Sequence, residues 1–244
     1  MIQIRRNCFE TNSSSTHCLA VPEKNNIDEG AIRGKEIHFG LDYFGRPLEA
    51  KEVSRTDYLY TAILNELSYM GWLDEFSEEE NRSIRENPKA PDLNKCCPKA
   101  MSRLNKLKDI LNKYGVKYSF EEPIWAKAHY WGYDKPQYKF KRDVVGDVED
   151  EEFGIDHPED LDEILDMLLE DENMLINFLF EGIVMVGSDE AEDEERAKIK
   201  LDDKTYVKDN WEWDNKKRSY KFISSEVKEN PNYKEGYKCF YKGN

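Results

Sequence analysis

Residues 161–187 read LDEILDMLLEDENMLINFLFEGIVMVG, and the hydrophobic periodicity changes within this one stretch. Apolar residues first recur at intervals of three and four, which predicts an amphipathic helix; they are Leu161, Ile164, Leu165, Leu168 and Leu169. Residues 177–180 continue the pattern as a second helix. Residues 183–186 then form a short apolar run between two glycines, which is typical of a buried strand. The stretch therefore predicts helices packed against a sheet.

Shorter patterns on either side extend this mixture along the chain. Apolar and polar residues alternate as in strands, or form short apolar runs, at residues 2–6, 18–21, 36–40, 116–120, 219–223 and 237–241. Helical spacing runs from Ser54 to Gly71 and from Pro98 to Gly115, with glycine as the stop signal in both cases. We therefore expect an α+β fold, in which a largely antiparallel sheet is flanked by several helices.

The charge of the chain is divided unevenly along its length. Residues 143–195 contain 22 Asp or Glu and neither Lys nor Arg, whereas residues 1–142 contain 23 basic and 21 acidic residues. Residues 196–244 carry 13 basic and 8 acidic side chains. We predict a single domain over residues 1–244, which can be subdivided into a mixed-charge part, a strongly acidic helical segment (143–195), and basic, aromatic C-terminal strands.

Composition narrows the class of protein. Hydrophobic residues make up 39% of the 244 residues and aromatic residues 12%, which is enough apolar material for a core. The polar run at residues 10–17 stands where a signal peptide would need its apolar region, and no apolar stretch is long enough to span a bilayer. The five cysteines include no CxxC spacing, so neither a disulfide framework nor a zinc ribbon is indicated. A reducing cytoplasm is the expected location.

A hydroxyl-rich segment near the N-terminus has the residue types of an anion-binding loop. Hydroxyls and closely spaced backbone N–H groups can surround a phosphate, and neighbouring arginines can balance its charge. His17 has the side chain of a general acid or base, and Glu10 could orient it or bind a metal. The alternative is a Ser-rich turn between two strands, with His17 packed at a strand start. The predicted phosphate-binding residues are Arg5, Arg6, Thr11, Asn12, Ser13, Ser14, Ser15 and Thr16.

His157 is a second candidate for this site. It could join His17 in catalysis if the fold brings the two together, and its neighbour Asp156 could share a metal with it. The alternative is that the segment caps the helix that begins near Pro158. The cofactor is undetermined at this level, and a divalent cation is compatible with these residues.

The acidic segment allows three interpretations. It can be a solvated helix face, or a divalent cation site at residues 147–152, although that spacing matches no EF-hand loop. It can also imitate the phosphates of nucleic acid and bind the basic groove of a nucleic-acid-binding protein, with affinity that falls as salt rises. The partner-binding residues in that case are Glu159, Asp160, Asp162, Glu163, Asp166, Glu170 and Asp171.

Two stretches, residues 125–142 and 211–242, interleave aromatic rings with lysines and arginines. Sites for single-stranded nucleic acid combine the same residue types, because bases stack on rings while the backbone meets positive charge. The alternative is that the rings belong to the core and the basic residues to its solvent edge.

The run Asn-Cys-Phe-Glu-Thr-Asn-Ser-Ser-Ser-Thr-His at residues 7–17 resembles the opening of a functionally uncharacterised protein family of bacteriophages and Gram-positive bacteria, which begins with Phe-Glu-Thr-Asn-Ser-Ser-Ser-X-His. The resemblance extends loosely to residues 58–62, 155–157 and 178–180. Where the family has a Gly-Asn-Asp-Asn type of run, residues 187–190 read Gly-Ser-Asp-Glu. The resemblance implies a phage or prophage setting, in the cytoplasm of a bacterial host, and no particular reaction.

Together these features give two functional expectations. The first is a phage-type accessory protein whose phosphate-binding pocket acts on a nucleotide or nucleic-acid substrate. The second is a non-enzymatic, anti-CRISPR-like counter-defence inhibitor that binds a host defence nuclease through the acidic face. The residues leave open whether the protein is an enzyme, and neither expectation involves a membrane.

Overall fold

The computed structural model describes the chain except residues 1–14, 25–26, 46, 69–76, 129–136, 143–151, 156–160, 189, 215–216 and 243–244. The fold is α+β, as the sequence predicts. The strands are β1 (Ser15–Pro22), β2 (Glu36–Phe39), β3 (Tyr43–Phe44), β4 (Lys51–Val53), β5 (Lys117–Phe120), β6 (Ile124–Ala128), β7 (Gln137–Lys141), β8 (Gly154–Ile155), β9 (Ile183–Ser188), β10 (Thr205–Asp214), β11 (Ser219–Glu229) and β12 (Tyr237–Lys242). The helices are α1 (Glu29–Ile32), α2 (Arg55–Ile63), α3 (Asn65–Ser68), α4 (Glu78–Glu86), α5 (Leu93–Cys96), α6 (Pro98–Lys113), α7 (Leu161–Glu170), α8 (Glu172–Glu181) and α9 (Asp193–Ile199).

A four-stranded antiparallel sheet in the order β12-β1-β9-β4 forms the centre of the fold. Strands β1 and β9 are buried along nearly their whole length, because both faces of the sheet are covered. Leu19 and Val184 face one core, while Cys18 and Met185 face the other. Two-sided burial explains why these strands read as continuous apolar runs rather than as alternating patterns.

The larger core lies between the sheet and helices α2, α6, α7 and α8. The apolar stripe predicted on α7 is buried there in full, from Leu161 to Leu169, so the acidic segment contributes to the same core as the rest of the chain. Helix α9 covers the opposite face of the sheet. At that contact a Cβ on Gly187 would lie 2.5 Å from Ile199 Cδ1, so the glycine allows the close approach of helix and strand.

Smaller sheets surround the central one. Strands β2 and β5 pair in parallel, as do β3 and β8, whereas β6 and β7 form an antiparallel pair. Strands β10 and β11 form a long antiparallel ribbon, with a register shift between Asn210 and Trp211. The described sheets are therefore largely antiparallel, with two short parallel pairs.

Several boundaries follow from local chemistry. Helix α6 begins at Pro98, where the absent N–H leaves no intrahelical hydrogen bond unmade. Ser77 and Glu80 form a capping box that begins α4. The helix predicted over residues 54–71 is wrong as one element, because α2 ends at Ile63 and α3 follows it.

The predicted strand over residues 18–21 is longer in the structure, since β1 already begins at Ser15. The strand predicted at residues 2–6 and the helix start predicted near residue 158 lie outside the described residues. Within the described part of the chain, no helix is both long enough and apolar enough to cross a membrane.

Candidate functional site

His17, the predicted general acid or base, lies in the buried middle of the fold. It sits on β1 between Val186 of β9 and Lys242 of β12, and no part of it is exposed. Its Nδ1 atom is 2.7 Å from the hydroxyl of Tyr58 on α2, and the two rings meet edge to face. Burial raises the pKa of Tyr58 well above its usual range. This geometry joins the central sheet to α2 and favours a structural role for His17.

The end of the hydroxyl-rich segment is strand rather than loop. Ser15 pairs with Ser188 and Thr16 with Gly187, and Ser15 is buried. The expectation that these two residues belong to a loop is therefore wrong, because strand pairing with β9 extends back to Ser15. The rest of the predicted pocket lies outside the described residues, namely Arg5, Arg6, Glu10, Thr11, Asn12, Ser13 and Ser14.

The other predicted groups do not form a site in the described part of the chain. His157, Glu159 and Asp160 lie outside it. Glu152 of the predicted cation segment accepts a hydrogen bond from Lys139. No group of three or more His, Cys, Asp or Glu residues suited to a metal ion occurs among the residues that the structure describes.

The predicted acidic face is partly neutralised within the molecule. The buried guanidinium of Arg103 on α6 donates from Nε to Asp166 at 2.7 Å and contacts the carboxylate of Asp162. Lys99 pairs with Asp162 as well. Burial would raise the pKa of Asp162, but the hydrogen bonds and charges of Lys99 and Arg103 outweigh it and lower that pKa.

The remaining acidic candidates, on α7 and just after it, have different surroundings. Asp171 caps α8 by accepting from the backbone N–H of Met174 at 3.0 Å. Glu163 and Glu170 are exposed. Of the five described partner-binding candidates, Asp162 and Asp166 thus hold α7 against α6, and Asp171 holds the start of α8.

Cys18 on β1 and Cys239 on β12 lie on neighbouring strands. A hydrogen bond from Cys18 to Cys239, together with burial, raises the pKa of Cys18. The same hydrogen bond lowers the pKa of Cys239 against the opposing effect of burial. Tyr241 donates to Asp202 beside them. Cys18 is fully buried, which favours a packing role.

The two ring-rich stretches have opposite surroundings. In the first, Trp125 packs against Phe140 with ring centroids 4.9 Å apart, and Trp125 Nε1 donates to the carbonyl of Asn87. Phe140 is buried. Trp125 and Phe140 therefore follow the alternative given above, in which the rings belong to the core.

The second stretch places four of its rings on an open face of the β10–β11 ribbon, called here the aromatic face. Trp211 pairs with Phe222 and Trp213 with Tyr220, with ring centroids 5.3 and 5.0 Å apart. Strand alternation puts Val207 and its partner Val227 on the same face. The exposed fraction of these six side chains runs from 46% to 71%. Large apolar side chains gathered on an open face mark an interaction surface.

The ribbon is fixed to the body of the protein through contacts with α9 and the residues that follow it. The backbone N–H of Asp209 donates to Asp193 at the start of α9, at 3.1 Å. At the end of β11 the buried Asn230 side chain donates to the carbonyls of Ala197, Lys200 and Asp203 at 2.7–3.0 Å. These contacts hold the base of the ribbon in place while the aromatic face remains open.

Positive charge lies at the turn of the ribbon. The connecting residues 214–219 read DNKKRS, and Lys217 and Arg218 are exposed. Arg218 has φ 48°, the left-handed backbone conformation that closes the turn. The ribbon therefore presents rings along one face and cations at its end.

Comparison with models of known families, with curated proteins and with solved structures found no match to this chain.

Proposed function

We propose that the protein binds single-stranded nucleic acid through the aromatic face of the β10–β11 ribbon. The single observation that carries this proposal is the row of four exposed rings, Trp211, Trp213, Tyr220 and Phe222, on one face of the ribbon. The sequence predicted a nucleotide or nucleic-acid substrate as well, but for the phosphate-binding segment near the N-terminus.

The spacing of the rings suits bases. Residues two apart on a strand are separated by roughly 6.8 Å, and a stacked nucleotide occupies about 3.4 Å along its strand. The backbone spacing of Trp211 and Trp213 therefore equals about two stacked nucleotides. Stacking on a ring contributes about 1–3 kcal/mol per base and accepts any base, so the binding is expected to depend little on sequence.

Positive charge for a phosphate backbone lies at the turn of the ribbon, while one carboxylate, that of Asp209, lies on the aromatic face between Val207 and Trp211. Lys217 and Arg218 stand at the turn, within reach of a phosphate backbone that follows the aromatic face. The chain as a whole carries a net charge of −15, which repels duplex and single strand alike elsewhere on the surface. Binding is therefore expected to centre on the ribbon.

The test is fluorescence anisotropy with labelled single-stranded DNA and RNA, and with a duplex, at about 0.1 M salt. Trp211→Ala and Trp213→Ala should each weaken single-strand binding by roughly 5-fold or more, which corresponds to the lower limit of one stacking contact. Leu48→Ala is the matched control, since Leu48 is an exposed large apolar residue outside the ribbon. Wild-type protein that binds no single strand, or tryptophan variants that bind as well as the control, would refute the proposal.

The phosphate-binding role of the hydroxyl-rich segment stays a prediction. The catalytic roles of Glu10, His17 and His157 stay predictions as well. The same titration with Ser14→Ala measures whether that segment adds to the affinity. Binding of a basic partner protein through the acidic face likewise stays a prediction, as does the phage or prophage setting.

A further inference from the structure

The aromatic face of the ribbon contains a notch at Asp209. Asp209 pairs with Ser225 across the two strands, and both side chains are short and polar. Strand alternation places this pair on the same face as the rings. Larger exposed side chains stand on either side of the pair along the ribbon, namely Trp211 and Phe222 towards the turn and Val207 and Val227 towards the base. The short pair therefore forms the floor of the notch, and the larger side chains form its two walls.

The pairing of the two strands is irregular beside this notch. The register shifts immediately beyond Asp209, between Asn210 and Trp211, and Ile223 of β11 is the extra residue. A β-bulge bends a strand and increases its local twist, and bulges are common next to functional sites, where they redirect side chains. The bulge therefore changes the direction of Trp211 relative to Asp209 at the edge of the notch.

The carboxylate of Asp209 is held in place and retains room for further hydrogen bonds. The hydroxyl of Ser225 donates to Asp209 Oδ1 at 2.6 Å, and both residues are exposed. An ionised carboxylate has about four positions at which it accepts a hydrogen bond. Ser225 occupies one of them, so both oxygens of Asp209 can still accept hydrogen bonds from a ligand in the notch.

The donors on a nucleobase determine which base fits over this floor. Guanine has two neighbouring donors, N1–H and the amino group at C2, on its Watson–Crick edge, and these match the two oxygens of one carboxylate. Thymine and uracil have one N–H between two carbonyl oxygens, which a carboxylate repels. Adenine and cytosine have an amino group beside an acceptor nitrogen. Guanine is therefore the standard base that can form two hydrogen bonds to Asp209.

We propose that the notch binds one guanine base of the single strand, with the Watson–Crick edge on Asp209 and the base stacked against Trp211. This inference rests on the proposed function, because the rings supply most of the affinity and Asp209 selects the base. Stacking accepts any base, so the preference concerns only the one position of the strand that lies in the notch. A bidentate contact to a base corresponds to a preference of roughly 5-fold or more.

The test is fluorescence anisotropy of the full chain with labelled oligothymidine strands that differ in one central base. The strand with guanine should bind roughly 5-fold tighter or more than the strand of thymidine alone, and adenine and cytosine should give smaller gains. Inosine keeps N1–H and lacks the amino group at C2, so it should lose most of the gain. This comparison uses the wild-type protein and does not depend on the folding of any variant.

Two alanine variants on the same strand separate base selection from charge. Asp209→Ala should abolish the preference for guanine. Glu212→Ala should keep it, because Glu212 is exposed on the opposite face of β10. Both variants lose one negative charge, so a general change in the attraction of a polyanion affects both alike. Ser225→Ala should reduce the preference, since the Asp209 carboxylate loses the donor that orients it.

The outcomes distinguish the guanine site from the function on which it rests. Equal binding of the guanine, inosine and thymidine strands by the wild type, with affinity that falls in Trp211→Ala, would overturn the guanine site and leave single-strand binding intact. A preference that survives in Asp209→Ala, or that is lost equally in Glu212→Ala, would overturn the guanine site as well. Wild-type protein that binds none of the strands would overturn both proposals.

Discussion

Replacement of Arg103 by methionine tests how α6 holds the acidic helix α7. The Arg103 side chain is 7% exposed, and its guanidinium donates to Asp166 Oδ1, to the carboxylate of Asp162 and, at 3.1 Å, to the carbonyl of Asp162. Methionine keeps the apolar packing of the arginine stem and removes all three hydrogen bonds. The substitution therefore isolates the contribution of the guanidinium hydrogen bonds to stability.

The expected loss of stability depends on how exposed Asp162 and Asp166 are to solvent. Hydrogen bonds to charged groups contribute about 1.5–3 kcal/mol each when both groups are shielded from water. The side chains of Asp162 and Asp166 are 58% and 49% exposed. Water can therefore replace many of the hydrogen bonds that these carboxylates lose when Arg103 is removed. Each exposed ion pair then contributes about 1 kcal/mol or less. We expect Arg103→Met to lower the free energy of unfolding by about 2 kcal/mol.

The assay is urea denaturation at neutral pH, with Lys106→Met as the control on the same helix. Lys106 makes no ion pair with another described residue, so its replacement should change stability by less than about 0.5 kcal/mol. Arg103→Lys keeps the charge without the planar fork and should lie between the two. A loss for Arg103→Met no larger than that of the Lys106 control would refute the reasoning.

The pH dependence gives an independent check. Lys99 and Arg103 lower the folded-state pKa of Asp162 despite the opposing effect of burial. The ion pairs of Asp162 therefore contribute to the free energy of unfolding above its unfolded pKa of about 3.9. This contribution is lost as the pH falls through the folded pKa. The stability difference between wild type and Arg103→Met should therefore narrow below about pH 4, and a difference that stays constant there would contradict the assigned ion pair.

Two further substitutions address the buried polar contacts. Tyr58→Phe removes the hydroxyl that His17 contacts in the core and should lower the free energy of unfolding by about 1–2 kcal/mol in urea denaturation, whereas Tyr220→Phe on the open face should change it little; equal values for the two would contradict the structural role of His17. Asn230→Ala removes the donors to three carbonyls at the base of the ribbon and should cost about 2–3 kcal/mol. Limited proteolysis should then cut this variant first at β10–β11, and cleavage elsewhere would mean that Asn230 does not anchor the ribbon.

The sequence predicted those elements whose signals are local. Proline at residue 98 and glycine at residue 115 bracket α6, and the apolar spacing of α7 survives as its buried face. The short apolar run of β9 was recognised as a buried strand for the same reason. The capping box of α4 is a local signal as well, since Ser77 and Glu80 stand three positions apart at the start of the helix.

Contacts between residues that are far apart in the chain could not be predicted from the sequence. Arg103 meets Asp162 and Asp166 across about 60 positions of the chain, so an acidic run that contains no base is nevertheless paired with bases on α6. The buried state of His17 likewise follows from the strands on either side of it rather than from its polar neighbours in sequence.

By itself, the sequence determined the mixture of helices and strands, the apolar faces and the division of charge, because these depend on residue type and spacing alone. Only the tertiary structure decided which ring-rich stretch is packed and which is open. Trp125 and Trp211 stand in similar patterns, yet α4 and the core lie against the first while no described element covers the aromatic face of the second. Whether a face is buried depends on which elements pack against it. The spacing of residues within one segment does not determine that.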